Sequence, residues 1–318
     1  ALVRRLKPDL VHLNSLVLAP SAAGARAAGV PVVWHVRESV HPGHAGVRRA
    51  WLGRAIRRWA SEAVFISHDD RRRLTGGDDC GVVIPNWVDH ARFDRGLDGG
   101  AVRAEFGIPA EAPLVLYFGG VARLKGGHVL LPALQRARRA VPGLHALIAG
   151  AEAPWSRSIV ARTARAVLPL IGSGTERQLF LRAWRQGGME SWAPLLPFRP
   201  NPERLIAAAN LVVFPSTRPH FARPVIEAGA MAKPVVASRL GGVEELVDDG
   251  RTGLLVPAGD PEALGDAIAS VLGDPALARR MGEAGYAASL ERYAMRPNLQ
   301  RVMAVYDAVL DGRPGGAS

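Results

Sequence analysis

Two segments of this 318-residue chain hold the residue types best suited to chemistry. The first is LVLYFGGVARLKGGHVLLPAL, residues 114–134. An apolar strand pattern runs into Gly119-Gly120, a loop carries Arg123 and Lys125, and Gly126-Gly127 opens a helix with Leu130, Leu134 and Ala137 on its apolar side. A strand-to-helix turn of this kind offers backbone N–H groups and the positive end of a helix dipole to an anion. Lys125 adds a point charge. A Walker A loop would need Gly-Lys followed by Ser or Thr, and the order here is Lys-Gly-Gly, so ATP hydrolysis of that kind is not expected. The second segment covers residues 212–264. Its strand ends at Pro215, a loop follows, and Pro224 at a helix start is expected to put Glu227 in the first turn. A carboxylate there can accept two hydrogen bonds from a vicinal diol such as a ribose, or it can simply complement the helix dipole. Spacing alone leaves both roles open.

Other candidates are weaker. His41 and His44 stand three apart beside His35, but no acidic third ligand is fixed, and no Asp-x-Asp occurs anywhere. No metal is therefore expected. Gly172-Ser173-Gly174 lacks the third glycine and the preceding strand of a dinucleotide fingerprint. The basic stretch at residues 47–60 projects Trp51, Leu52, Ala55, Ile56 and Trp59 onto one helical face, with Arg49, Arg54 and Arg57 elsewhere. Such a helix can lie on an anionic membrane surface or cover a sheet, and the second use is the commoner in α/β domains.

These residues must be positioned by a fold, and length and composition bound it. A chain of 318 residues suggests two domains, each able to bury a core. The content is 48% hydrophobic and 22% charged, which is globular. Cys80 is the single cysteine, and no stretch reaches the roughly 18 apolar residues of a spanning helix, so a soluble chain in a reducing, cytoplasmic compartment is expected. A net charge of +11 implies anionic partners. Nucleic acid is not expected, because no zinc-finger spacing or aromatic RNA-binding motif occurs and the arginines are spread over several helices.

Short β-type runs alternate with helical patterns almost from end to end, the signature of parallel sheets covered by helices. Strands are expected at 10–13, 31–36, 63–66 and 82–84, then at 114–118, 144–149, 211–214, 234–237 and 253–256. Helices are expected at 261–272, capped by Asp260 with Pro261 in the first turn, at 275–289 and at 296–311. The domains follow as 1–97, a Gly- and Pro-rich linker at 98–112, a second α/β domain at 113–290 with an Arg-rich insertion at about 151–193, and a C-terminal helix and tail at 291–318.

The order of the whole resembles glycosyltransferase family 4. The likeness rests on KPDLVHLNS at 7–15, GVPVVWHVRES at 29–39, AVFISHDDRRRL at 63–74, VIPNWVDHARFD at 83–94, the Lys125-Gly126 turn, and PS...EAGAMAKPVVAS..GGVEELV.DG.TGLLV across 215–256. The resemblance implies a GT-B fold, α/β, with two Rossmann-like parallel-sheet domains facing a cleft. It implies an enzyme that moves a sugar from a nucleotide diphosphate sugar, with retention, to a glycan or lipid-linked acceptor of the cell-envelope kind, without a cofactor or metal. Lys125 is similar to the family lysine on the donor diphosphate, and Glu227 to the second glutamate of Glu-x7-Glu, which holds the nucleotide ribose. Gly119 and Gly120 match the glycine turn near the phosphates, with Arg123 beside them. Phe221, Ala222 and Arg223 occupy the loop that faces the transferred sugar and phosphate, and Gly241-Gly242 match paired glycines before a helix.

Three positions depart from the pattern. Pro219 stands where the first glutamate would fall, Gly120 where an arginine would fall, and Arg37-Glu38 where a His-Asp pair would end a strand. His35, on the same strand face as Arg37, is a candidate to reach the sugar, or an ordinary strand histidine. These departures keep alternatives open: a catalytically impaired nucleotide-sugar-binding or scaffold protein, or an epimerase or phosphorylase on the same fold. The resemblance also suggests that the chain lacks the front of its first domain, so that it binds nucleotide diphosphate yet transfers sugar poorly. The expected location is the cytoplasm, at the inner face of the cell membrane if residues 47–60 touch lipid.

Overall fold

A computed structural model describes residues 2–40, 46–77, 80–151 and 176–312. By contacts the chain divides into two compact units. One holds Ala1–Trp87, Pro219–Phe221 and Arg292–Ser318, and the other Val88–Arg218 and Ala222–Glu291.

The first unit runs α1 (Leu2–Leu6), β1 (Val11–Leu13), α2 (Ala19–Arg26), β2 (Val32–Val36), α3 (Val47–Trp59), β3 (Glu62–Phe65), α4 (His68–Thr75) and β4 (Val82–Val83). Its four strands are parallel in the order β1-β2-β3-β4. The period of two sorts the side chains between the faces. Leu13, Trp34, Val36 and Phe65 pack under Ala22 of α2 and Leu52 and Ile56 of α3, whereas Val33, Val64 and Ile84 pack under Val302 and Val305 of the chain's last helix. Both faces are buried, so β2 is apolar on either side, as parallel sheets require.

The second unit begins with α5 (Gly100–Glu105) and β5 (Leu114–Phe118), then α6 (Gly127–Ala140) and β6 (His145–Ala149). After α7 (Glu176–Gln186) come β7 (Leu195–Leu196), α8 (Pro202–Ala208), β8 (Leu211–Phe214), α9 (Arg223–Ala230), β9 (Val235–Arg239) and β10 (Gly253–Pro257). The helices α10 (Pro261–Gly273) and α11 (Pro275–Arg292) complete it, and α12 (Met295–Leu310) belongs to the first unit. Among the described residues the second unit has six strands, all parallel, in the order β10-β9-β8-β5-β6-β7. In doubly wound sheets of this kind the winding direction reverses once, and here it does so between β5 and β8. Leu130, Leu134 and Ala137 of α6 and Leu264 and Ile268 of α10 close one face over Val115, Tyr117 and Val213.

All nine expected strands are present, within one or two residues at their ends. The strand missed is β7, two residues lying between Pro194 and Pro197, too short to show alternation. Asp260 caps α10 as expected, accepting from the N–H groups of Glu262 and Ala263, both at 3.0 Å. Residues 98–112, expected as a linker, carry α5 and are pinned into the second unit by Arg103. Its guanidinium donates to the carbonyl oxygens of Ala208 (3.0 Å), Pro109 and Ala112 (both 2.9 Å) and to Asn210 Oδ1 (2.8 Å). Residues 241–246 form turns rather than the helix expected after Gly241-Gly242. Most of the Arg-rich insertion, with Gly172-Ser173-Gly174, lies outside the described residues, as do His41 and His44.

The apolar face assigned to α3 splits in two. Leu52, Ala55 and Ile56 are in the core, whereas Trp51 is 49% exposed and rests edge-on against Trp59 at 6.3 Å. A helix on a sheet buries only the stripe facing the strands, and Trp51 sits one position outside it. Leu52→Ala should therefore destabilise the first unit by about 2–5 kcal/mol and Trp51→Ala by less than about 1 kcal/mol in denaturant titrations. Equal losses would place both side chains in the core.

Candidate functional site

In an open parallel sheet the ligand crevice lies outside the carboxyl ends of the strands, where the winding direction reverses. In the second unit that point lies between β5 and β8, and the loops leaving these two strands are tied together there. The loop after β5 turns at Gly119-Gly120, forms a single 3₁₀ turn at Arg123–Lys125 and enters α6 at Gly126. Leu124 offers its carbonyl oxygen to the loop after β8, accepting from Ser216 Oγ (3.1 Å) and from the Thr217 N–H (3.2 Å). Beneath them Tyr117 Oη donates to the Lys125 carbonyl at 3.0 Å.

Two glycines make this approach possible. Gly126 has φ +84°, and a Cβ built on it would land on the carbonyl oxygen of Pro215. Gly120 has φ +56°, with its own Cβ position filled by the Gly150 carbonyl. A side chain at position 120 would meet both backbone strain and a collision, which is a physical reason for glycine where the resemblance led one to expect arginine.

Lys125 lies half-buried over the β8 end, its Nζ 6.0 Å from the centre of the Phe214 ring. Burial lowers its pKa from the ordinary lysine value by stripping water from the charged form. The α6 N-terminus beside it has no side-chain cap. Arg123 is exposed, and its backbone N–H points to Glu176 Oε2 at 3.4 Å. A pocket of about 320 Å³ opens next to it, lined by Val121, His128, Leu131, Glu176 and Phe180 among others.

Glu227 stands differently from the sequence expectation. α9 starts at Arg223, so Glu227 falls in its second turn, and no acid lies in the first. The dipole role fades at that depth, because the field of a helix end is confined to its first turn. Glu227 is 8% exposed, with Oε1 3.4 Å from Arg223 Nε. Burial raises its pKa, and the charges of Arg223 and Arg92 oppose that rise. Arg92 itself is held by Glu203 Oε2 at 3.0 Å and donates to the Pro200 carbonyl at 2.8 Å. Ala222 and Arg223 thus share the second unit with Lys125, whereas Phe221 groups with the first unit, along with Pro219.

Sequence reasoning assigned no role to Ser216, Thr217 or Arg92. Pro-Ser after the strand was visible, but its purpose depends on which loop lies opposite. Among the described residues, no three His, Cys, Asp or Glu side chains gather as a metal site.

His35 meets a physical obstacle to catalysis. Its ring is 5% exposed on the sheet face that α12 covers, edge-on to His12 at 5.5 Å, and His12 Nδ1 in turn is 2.6 Å from Tyr306 Oη. Among the described residues His35 Nε2 has no hydrogen-bond partner. Burial, then the charges of Arg37 and His12, push the pKa of His35 from 6.5 down to about 4. The ring is a neutral member of the core.

Comparison with known proteins is decisive for the family. The model of "Glycosyl transferases group 1" matches residues 100–288, more than half of the chain, and that of "Glycosyltransferase Family 4" matches residues 1–92. The chain belongs to the group 1 glycosyl transferases. Curated relatives include the D-inositol 3-phosphate glycosyltransferase of Segniliparus rotundus, 32% identical over 72% of this chain and 47% of its own length. The glycogen synthase of Mycobacterium tuberculosis is 31% identical over 88% of this chain and 64% of its own. The chain spans about half the length of the first curated relatives it matches. Among solved structures, Anabaena HepE in complex with UDP and glucose superposes with a TM-score of 0.83 at 23% identity, over 96% of this chain and 80% of that one. Sucrose-phosphate synthase from Thermosynechococcus elongatus gives 0.79 at 23% identity, over 98% and 76%. The fold is therefore GT-B, with two parallel-sheet α/β domains.

For this group 1 glycosyl transferase the buried histidine carries a pH dependence. A group whose folded pKa is depressed below its unfolded value contributes stability above the unfolded pKa and loses it as the pH falls through the folded one. From about pH 6.5 down to about 4 the first unit should lose up to about 3 kcal/mol through His35, and His35→Phe should flatten that slope. Hydrogen exchange of β2 amides at pH 7 and pH 5 measures it. An equal pH slope in both proteins would mean that His35 is solvated.

Proposed function

We propose that this chain transfers a sugar from a nucleoside diphosphate sugar to an acceptor, with retention of the anomeric configuration. The observation that carries the reading is the reversal point of the second sheet. A desolvated lysine and the uncapped end of a 14-residue helix follow β5 there, and a buried glutamate lies on the helix that follows β8. Structural neighbours hold UDP and UDP-glucose, which supports a donor of that class.

In this reading Lys125 and the α6 N-terminus, with Arg123 and Arg223, take the diphosphate, and Glu227 accepts from the ribose hydroxyls. Gly119 and Gly120 let the backbone approach the phosphates, and Ala222 lies along the sugar. Same-face attack, with the departing diphosphate helping to remove the acceptor proton, needs no carboxylate nucleophile. The protein contributes by stabilising charge as it grows on the leaving group. The donor carries its own chemistry, so no cofactor is invoked.

UDP-glucose is the first donor to assay. Glu227→Ala should lower kcat/KM roughly tenfold to a few hundredfold, by loss of charge-assisted hydrogen bonds, while the melting temperature moves little. Lys125→Met should lower turnover more than UDP affinity, because leaving-group charge grows in the transition state. Equal losses of turnover and affinity would reduce Lys125 to ground-state binding, and unchanged donor kinetics in both variants would overturn the site.

The acceptor is a glycan or lipid-linked saccharide in this reading, met at an anionic membrane surface. The support is the outward stripe of α3, where Val47, Trp51, Arg54 and Arg58 recur on one exposed line with Arg48 beside it, and no acid occurs in the helix. No helix among the described residues is long and apolar enough to cross a membrane. Phosphatidylglycerol vesicles should sediment the chain at low ionic strength and release it as salt rises, and Trp51→Ala should weaken the binding. Salt-insensitive or absent binding would remove the membrane from the reading.

A further inference from the structure

The last helix of the chain leaves an apolar stripe uncovered. Asn298, Val302 and Val305 of α12 are buried, the two valines in a cluster with Val33, Val64 and Ile84 of the first sheet. At 3.6 residues per turn, Met295, Leu299, Met303 and Leu310 fall together on the flank beside that buried line. Each of the four is between 42% and 51% exposed. Among the described residues no other helix carries more than two large exposed apolar side chains. Single apolar residues scattered on a surface are ordinary, whereas four aligned on one 16-residue helix form a continuous patch.

The charges around the stripe limit what it fits. α3 carries five arginines and no acid, whereas α12 carries Arg296 and Arg301 in its first half, Asp307 near its end and Asp311 directly after it. In a chain of net charge +11 this is a nearly balanced face, which selects neither an anionic surface nor an acidic partner. Arg301 is turned toward the sheet, donating to the Val83 carbonyl at 2.7 Å and to Asn298 Oδ1 at 3.2 Å. Arg296 and Asp307 are exposed, and helical geometry puts both on the border of the stripe away from the sheet. Among the described residues neither of them forms an ion pair. Along one helix they stand about 16 Å apart, too far to meet each other. In two antiparallel copies of the helix, related by a two-fold axis, like flanks face one another. A register that packs Leu299 on Met303 of the second copy then sets Arg296 opposite Asp307 of that copy, and symmetry makes each contact twice.

We infer that the outer stripe of α12 is a self-association surface, through which two copies of this chain pair by antiparallel α12 helices. Leu299 and Met303 form its centre, and Arg296 and Asp307 fix its direction and register. The apolar centre drives association, and the charge pair rejects the parallel arrangement, in which like charges would meet. The surface belongs to the first unit alone, and it stands whether or not the chain transfers sugar.

Sedimentation equilibrium of the full chain tests the pairing. The chain should show a monomer–dimer equilibrium at micromolar concentrations, and Leu299→Glu should leave it monomeric with an unchanged melting temperature, because the side chain is exposed in the monomer. Arg296→Glu and Asp307→Arg should each raise the dimer Kd about tenfold or more, since either one turns both symmetric pairs into like-charge contacts. Mixed in equal amounts, these two variants should dimerise with each other, because opposite charges then face across the interface at both pairs. The double variant Arg296→Glu/Asp307→Arg should dimerise as the parent does. A role for either residue inside one chain gives no rescue on mixing, which keeps the test decisive even if Leu299→Glu proves unstable. A parent that stays monomeric, a dimer indifferent to Leu299→Glu, or single variants that remain apart when mixed would each overturn the inference. So would a monomeric parent that binds uncharged phosphatidylcholine vesicles through Leu299, which would give the stripe to a lipid surface.

Discussion

The close approach of two loops at the reversal point of the second sheet is the constraint on which the candidate site depends. β5 and β8 are neighbours whose following helices leave toward opposite faces, so a crevice opens between their carboxyl ends. The two loops are tied where Leu124 accepts from Ser216 and Thr217, and the approach is open because Gly126 has no Cβ to strike Pro215. Lys125 sits between these anchors, so its backbone position is set from both sides. A lysine on an untethered loop would present the same charge at the cost of ordering the loop with each ligand.

Burial uses charge in opposite ways in the two units. In the second, burial strips water from Lys125 on the loop after β5 and from Glu227 on the helix after β8, and it shifts the pKa of each toward its neutral form. In the first, His35 is buried on the face that α12 covers, with its pKa pushed down to about 4, and the half-buried His12, its pKa also lowered by burial, bridges it to Tyr306. The same cause, desolvation, marks a site in one place and a core in the other. What separates them is the element that carries each side chain: Lys125 stands on the turn and Glu227 on the helix that follow strands, whereas His12 and His35 stand on strands, and α12 covers that sheet face.

The departures from the family pattern have different physical standing. Gly120 is required by its left-handed backbone and by the carbonyl of Gly150. Arg37 is built into a frame of two asparagines from neighbouring loops, the sign of a residue with its own supports rather than a missing histidine. Nothing in the structure explains Pro219. Family membership, fold and the crevice are thus consistent with one another, although the chain spans about half the length of its first curated relatives.

The sequence by itself determined the two-domain α/β class, every strand described here except β7, the cap at Asp260 and the loop of Lys125. All of these are local: period-two runs, Gly-Pro punctuation and capping residues act within a few positions of themselves. It also placed Glu227 on a helix after β8, though one position too early, because the helix starts at Arg223 and Pro224 takes its second position rather than its first. Only the tertiary structure decided what each local feature faces. It turned residues 98–112 from a linker into a strap held by Arg103, moved Trp51 out of the core while Leu52 stayed in, and put His35 under α12 instead of at an open edge. It also brought Asn14 and Asn86, far apart in sequence, to either side of Arg37. Strand order is the reason: which loops meet at a sheet edge depends on pairing between distant segments, and no residue carries that information in its own neighbourhood.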